Sequence, residues 1–279
     1  LRRGVLPARA GSPARQGIPR PEEARRCIFI TGAANGIGRA CARLFASQGW
    51  RVGVADIDQS ALDTLVQELG TEKAQAFRVD VTQAEDWAVA LAAFHSQCGR
   101  LDVLLNNAGI LISGPFAASP LAQHHALVDV NIKGVLNGCY LAKQYLQATP
   151  DSRVINLSST SAVYGQASLA TYSSTKFAIR GLTEALNIEW QDDGIRVMDI
   201  MPLYVRTAML KDIKARSADR LGVQLTPEDV AATVWKAANF TGSFGKVHWP
   251  LNWQAVWMFR LTSMTPDWLA RAIARRIAR

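Results

Sequence analysis

The chain has only four cysteines, Cys27, Cys41, Cys98 and Cys139, and no two of them stand in a C-x-x-C spacing. This excludes a disulfide framework and a thiolate metal site; reduced, buried thiols in a cytoplasmic protein are expected instead. Histidine is equally scarce. His124 and His125 are adjacent, so on a helix they diverge, while His95 and His248 stand alone, and no metal site is expected. No apolar run reaches the ~18–20 residues needed to cross a bilayer. The first residues hold arginine but no apolar centre, which does not read as a secretory signal. No Gly/Pro-rich linker and no internal repeat divides the chain, so one domain is expected.

The net charge of +8 is unevenly spread. Residues 1–26 carry seven Arg against two Glu, and residues 246–279 carry five Arg and one Lys against Asp267. Each end is therefore +5, and the body between them is 8 − 10 = −2. No basic stripe interleaved with aromatics runs through the body, which argues against a nucleic-acid partner. With 49% hydrophobic and 19% charged residues over 279 positions, a large core is within reach. Residues 1–26, rich in Arg, Pro and Gly, are expected to be disordered; 27–248 form the folded domain, and 249–279 a Trp-rich basic extension.

Short apolar runs alternate with helical periodicities along the body. Strands are predicted at Cys27–Thr31, Val52–Ala55, Ala74–Val79, Leu101–Leu105, Arg153–Leu157 and Ile195–Ile200, with a short one near Lys246–His248. Helices are predicted at Gly36–Gln48, Ser60–Leu69, Gln83–Gln97, Leu121–Gln147, Leu169–Gln191 and Pro227–Asn239. Such alternation implies right-handed crossovers and a doubly wound parallel sheet, a Rossmann-like α/β fold with helices on both faces.

The first strand runs into Thr31-Gly32-Ala33-Ala34-Asn35-Gly36-Ile37-Gly38. Glycines where a strand turns into a helix let the backbone approach a pyrophosphate, which the free N–H groups of the helix start can hold. Gly32, Asn35, Gly36, Ile37 and Gly38 are the candidate contacts; a plain tight turn is the alternative. Asp56 ends the second strand, 20 residues after Gly36. A carboxylate there can accept from adenosine ribose hydroxyls and repel a 2′-phosphate, which favours NAD over NADP. Asp58 reads instead as a helix cap.

Tyr172 and Lys176 are four residues apart, one helical turn on one face. A nearby ammonium favours a phenolate, so Tyr172 could exchange a proton with an alcohol or ketone near neutral pH. An ordinary surface Tyr–Lys pair is the alternative, although none of the other four tyrosines has Lys at i+4. Ser159 lies 13 residues before Tyr172 at the carboxyl end of a strand, where ligands of open parallel sheets bind. Ser158, Thr160 and Ser161 compete with it.

In this order and spacing the motifs resemble the short-chain dehydrogenase/reductase family over roughly residues 26–245. The matching elements are Thr-Gly-x-x-x-Gly-x-Gly at 31–38, Asp80-Val81, Asn106-Asn107-Ala108-Gly109, Asn131, Ser158-Ser159 and Tyr172-x-x-x-Lys176. The resemblance implies that Asp80 and Val81 contact adenine, that Asn107, Ala108 and Gly109 flank the cofactor, and that Ser159 holds the substrate oxygen beside Tyr172. It implies that Lys176 holds the nicotinamide ribose and that Asn131 anchors a water relaying protons; a helix-bending polar residue is the bland reading of Asn131. Leu203 follows Pro202 where the family usually has glycine, and Val205 and Thr207 match nicotinamide contacts. A homodimer or homotetramer through the two long helices is also implied.

The expected activity is interconversion of a secondary alcohol and a ketone with NAD or NADP. A sensor or scaffold with an idle site, or a lyase, dehalogenase or epimerase on the same fold, are the alternatives. Met209, Leu210, Ile213 and Leu221 give residues 205–225 the pattern of a lid, and Val163, Tyr164 and Ala167 are expected to line the same apolar pocket. In the tail, Trp249, Trp253 and Trp257 repeat at i+4 and Trp268 follows, with Arg271, Arg275, Arg276 and Arg279 closing the chain. Packing on the protein itself is preferred there over a peripheral membrane-surface helix.

Overall fold

The computed structural model describes residues 25–208, 225–242 and 245–251, with Pro266, Leu269 and Arg271. Seven strands form one parallel sheet. They are β1 (Cys27–Thr31), β2 (Arg51–Asp56), β3 (Ala74–Arg78), β4 (Val103–Asn106), β5 (Arg153–Leu157), β6 (Arg196–Met201) and β7 (His248–Pro250). Their order is β3-β2-β1-β4-β5-β6-β7, so the winding reverses between β1 and β4. At such a switch point the loops leaving the two strands separate and open a crevice at the carboxyl edge of the sheet.

Alternation along the strands builds two cores. Ile28, Ile30, Val52, Val54, Val103, Leu105 and Ile155 point to one face. They meet Cys41 and Phe45 of α1 (Gly36–Ser47), Leu62 and Leu65 of α2 (Gln59–Leu69), and Val230 and Val234 of the helix at Pro227–Ala238. Cys27, Phe29, Leu104, Val154 and Val197 point the other way. They meet Trp87, Leu91 and Phe94 of α3 (Ala84–Cys98), Cys139, Ala142 and Leu146 of the helix at Gly134–Gln147, and Ile179 of the helix at Ala170–Glu189. A strand buried on both sides reads as a continuous apolar run, which is why the strands were visible in the sequence.

The expected single helix over 121–147 is divided. α4 (Leu121–Val128) passes through one wide π turn, Asp129–Lys133, into α5 (Gly134–Gln147). Asn131 lies in that turn, 1% exposed, and its side chain bonds outside the helix. The extra residue of a π turn relieves the conflict between the helical repeat and a buried amide that needs partners elsewhere. α6 (Ala170–Glu189) follows β5. α7 (Pro227–Ala238) starts in a capping box between Thr226 and Asp229 with Pro227 at its first position.

The last strand lies two residues later than expected. β7 pairs His248, Trp249 and Pro250 with Asp199, Ile200 and Met201, and proline is tolerated on this edge because it has no donor to lose there. Trp249 is therefore a sheet residue packed in the core, 8% exposed, and not the first of a helical Trp repeat. The boundary expected between 248 and 249 falls inside this strand. Trp253, Trp257 and Trp268, the last arginines other than Arg271, residues 1–24 and the lid residues 209–224 lie outside the described residues. Among the described residues no helix is long and apolar enough to cross a membrane.

Candidate active site

At the switch point, loops from β1 and β4 are tied together. The Thr31 hydroxyl accepts from the backbone N–H groups of Asn107 and Ala108, both at 3.1 Å. The Asn107 amide donates back to the carbonyls of Thr31 at 2.8 Å and Gly32 at 3.0 Å. Gly32 has φ +63°, and a Cβ there would stand 2.8 Å from the Ala108 Cα. A Cβ at Gly38 would collide with the Gly32 carbonyl and the Asn107 amide. Glycine is required at both positions because backbone passes backbone with no room for a side chain.

This turn leaves the start of α1 open. Its N-cap, Asn35, makes no side-chain capping bond, and no acidic residue lies in the first turn. By contrast, α2 is capped by the Asp58 carboxylate on the Ala61 N–H at 3.0 Å, as expected of Asp58. Uncapped donors facing a glycine cradle fit a dinucleotide's pyrophosphate. At the end of β2 the Asp56 carboxylate accepts from Ala34 N–H at 3.1 Å and Asp58 N–H at 3.2 Å. Each oxygen keeps a lone pair for a further donor. Arg39 is bound to Glu68 at 2.9 Å and to the Ala34 carbonyl at 3.4 Å.

A cavity of about 310 Å³ runs from this turn to β5 and α6. Gly32, Asn35, Gly36, Ile37, Asp56, Asn107, Ala108 and Gly109 line one part of it. Ser159, Tyr172, Lys176, Leu203, Val205 and Thr207 line another. Gly38, Asp80, Val81 and Asn131 do not line it. Asp80 Oδ1 accepts from the Thr82 N–H and hydroxyl, at 2.9 and 2.8 Å, and so closes the turn after β3. The Val81 carbonyl accepts from the Trp87 indole and the Asn137 amide, both at 3.0 Å.

Tyr172 and Lys176 share a face of α6, and Ser159 follows β5. Tyr172 and Ser159 line the same cavity. The Ser159 hydroxyl also meets Ser161, accepting from its N–H at 3.1 Å and donating to its hydroxyl at 3.2 Å. Lys176 Nζ donates to the Leu157 carbonyl at 2.7 Å and stands 5.5 Å from the Tyr172 ring centre. Burial pushes the Tyr172 phenol up to about 12, only partly opposed by the neighbouring Ser159 hydroxyl, and pushes Lys176 down to about 8. The shift of Tyr172 thus runs opposite to the lowering expected from a nearby ammonium, because burial is its largest cause. Desolvation disfavours the charged form of both groups.

Asn131 reaches the site indirectly. Its amide accepts from the Ile110 N–H at 2.8 Å and donates to the Ile110 carbonyl at 2.9 Å and the Thr175 hydroxyl at 3.2 Å. It thereby fixes the loop after β4 against α6. Leu203 fits without strain: among the described non-glycine residues only Asp151 and Ser168 take positive φ. Val163, Tyr164 and Ala167 do not line the cavity, contrary to expectation. A 3₁₀ turn at Thr160–Ala162 packs Val163 with Ala162 and Met201, and brings Gln166 and Leu169 to the cavity instead. Ile110, Leu111 and Tyr204 also line it and were missed, because only the tertiary crossing of three loops assembles them.

The fold and this cavity define a nucleotide-dependent enzyme of the doubly wound class. The chain belongs to the short-chain dehydrogenase/reductase family: the short chain dehydrogenase family model matches residues 26–218. It is an oxidoreductase acting on CH–OH donors with NAD or NADP. It is 31% identical over 225 residues to meso-2,3-butanediol dehydrogenase of Serratia marcescens, covering 78% of this chain and 89% of that one. It is 34% identical over 188 residues to 3-beta-hydroxysteroid dehydrogenase of Comamonas testosteroni, covering 67% and 73%. Among solved structures, it resembles 3-ketoacyl-(acyl-carrier-protein) reductase of Brucella melitensis complexed with NADH. The TM-score is 0.73 at 27% identity, over 81% of this chain and 96% of the other.

Proposed function

We propose that the chain interconverts a secondary alcohol and a ketone, with Tyr172 as general acid/base. The observation that carries this reading is the convergence of Tyr172, Ser159 and Lys176 in one cavity with the glycine turn and Asp56. When bound, the nicotinamide supplies the hydride acceptor for oxidation or the donor for reduction. Ser159 holds the substrate oxygen, and Tyr172 takes its proton in oxidation or returns one in reduction. Lys176, anchored on Leu157, holds the nicotinamide ribose, while Val205 and Thr207 contact the nicotinamide. Asn131 keeps the Ile110 loop and α6 in register, and a water on this loop is the proposed proton path from Lys176.

Asp56 favours NAD, since its carboxylate accepts from ribose hydroxyls and repels a 2′-phosphate. The Arg39 charge is partly neutralised by its ion pair with Glu68. Ile110, Leu111, Leu169, Leu203 and Val205 make much of the substrate wall apolar and support an apolar substrate. Leu136 and Tyr140 on α5, and Phe177 and Ile188 on α6, are exposed apolar residues. They support a homodimer or homotetramer through these helices, which sedimentation would detect. Free thiols at all four cysteines support a reducing, cytoplasmic setting.

The test is absorbance at 340 nm with NAD(H) and NADP(H) across secondary alcohols and ketones. Turnover favouring apolar substrates with NAD(H) is expected; no turnover of any alcohol or ketone overturns the reading.

A further inference from the structure

The substrate part of the cavity holds one polar device that the proton chemistry does not use. The Tyr204 hydroxyl donates to Gln166 Oε1 at 3.0 Å, and both residues line the cavity with Tyr172. The two come from different elements: Gln166 from the loop between β5 and α6, Tyr204 from the loop after β6. Gln166 is also fixed through its backbone, whose N–H donates to the Ser173 hydroxyl at 3.1 Å, one residue beyond Tyr172. Its position is thus tied to the helix that carries the acid/base.

A carboxamide has an acceptor end and a donor end. With Oε1 engaged by Tyr204, the orientation of the Gln166 plane is set and the donor end is left over. Among the described residues none accepts from Gln166 Nε2, although the side chain is half-buried beside leucines. The same cavity is lined by the apolar Leu111, Leu169 and Leu203 as well as by the hydroxyls of Thr160 and Ser161. An oriented, half-buried amide donor discriminates between a ligand that brings an acceptor and one that does not. The latter leaves the N–H unpaired.

We propose that Gln166, positioned by Tyr204, recognises a second oxygen acceptor on the substrate, close to the reacting carbon. The preferred substrates are then apolar secondary alcohols or ketones carrying a neighbouring hydroxyl or carbonyl, rather than simple apolar ketones. This rests on the alcohol/ketone reading above and narrows its substrate class. Gln166 touches the substrate, whereas Tyr204 acts through Gln166 and is a positioning residue.

The experiment compares kcat/KM for matched ketones of equal chain length. One is plain, one bears a hydroxyl or carbonyl on the adjacent carbon, and one bears the same group at the far end. Wild type is expected to prefer the adjacent form over both others by about 10–100-fold, the range of one substrate hydrogen bond. In Gln166→Leu that ratio falls to near one for either group, and in Gln166→Glu, which has acceptors but no donors, it falls to near one for the carbonyl-bearing ketone, whatever the absolute rates. Tyr204→Phe lowers the ratio in part and has no further effect on it in the Gln166→Leu background, a coupling that a merely structural role would not give. Thermal melts confirm that each variant is folded. A wild-type enzyme that reduces plain ketones with no preference overturns this proposal alone, as does a preference that survives Gln166→Leu. A wild type that turns over no ketone or alcohol overturns the underlying reading and this proposal with it.

Discussion

Lys176 holds the Leu157 carbonyl at 2.7 Å, and its ammonium nitrogen stands 5.5 Å from the centre of the Tyr172 ring. The lysine is thus bound to the end of β5 and not to the phenol it accompanies. Burial lowers its pKa to about 8, well under an unfolded value near 10.5. Between these values the unfolded chain binds more protons than the folded one, so stability rises with pH over about 8 to 10.5. Below 8 the penalty for a buried charge is present in full. Lys176→Met is therefore expected to stabilise the protein at pH 7 by about 1–2 kcal/mol, after the lost bond to Leu157 is discounted. It should also flatten the pH dependence in that window while impairing catalysis. Urea unfolding at pH 7 and pH 10 measures both effects.

Asn131→Ala removes one buried and two part-buried hydrogen bonds and leaves both backbone groups of Ile110 without these partners. A loss of about 1–3 kcal/mol is expected, since the Thr175 bond is buried while the Ile110 groups are only partly shielded from water. Calorimetry should show a lower Tm, and turnover should fall with it.

Gly38→Ala forces a methyl group against the Gly32 carbonyl. The turn must open, at a cost of about 1–3 kcal/mol. Titration of cofactor by quenching of tryptophan fluorescence should show weakened NAD binding.

Asp56→Ala removes the carboxylate proposed to bind the ribose and repel a phosphate. The ratio of kcat/KM for NAD to that for NADP is expected to fall by about tenfold or more, equivalent to the ~1.4 kcal/mol of one such interaction. An unchanged ratio removes Asp56 from cofactor selection.

Local patterns in the sequence located what depends on local spacing. Gly32 and Gly36 bend one turn, Asp56 ends one strand, and Tyr172 and Lys176 are one helical turn apart, so neighbours in sequence sufficed. The sheet was equally legible, because its buried strands are unbroken apolar runs. The π turn at Asp129–Lys133 was not, since only the distant Ile110 backbone explains it. Gln166 and Leu169 replaced Tyr164 and Ala167 for a similar reason: a 3₁₀ turn rotated the loop by an amount no periodicity records. Asp80 and Val81 stand in the motif for adenine; in the fold Asp80 Oδ1 also closes the turn after β3, and the Val81 carbonyl accepts from Trp87 of α3 and Asn137 of α5. Trp249 looked like a helical repeat and is a strand residue, because its partner Ile200 lies far away in sequence.

The central claim concerns one hydroxyl group. Tyr172→Phe keeps the ring, the helix and the cavity wall, and removes only the group proposed to exchange the proton. NAD-linked oxidation of the best alcohol in the 340 nm panel should fall by about 10²–10⁴-fold, the usual weight of general acid–base catalysis, while NAD affinity stays within a few fold. A Tyr172→Phe enzyme that binds NAD and turns over at the wild-type rate would contradict the account.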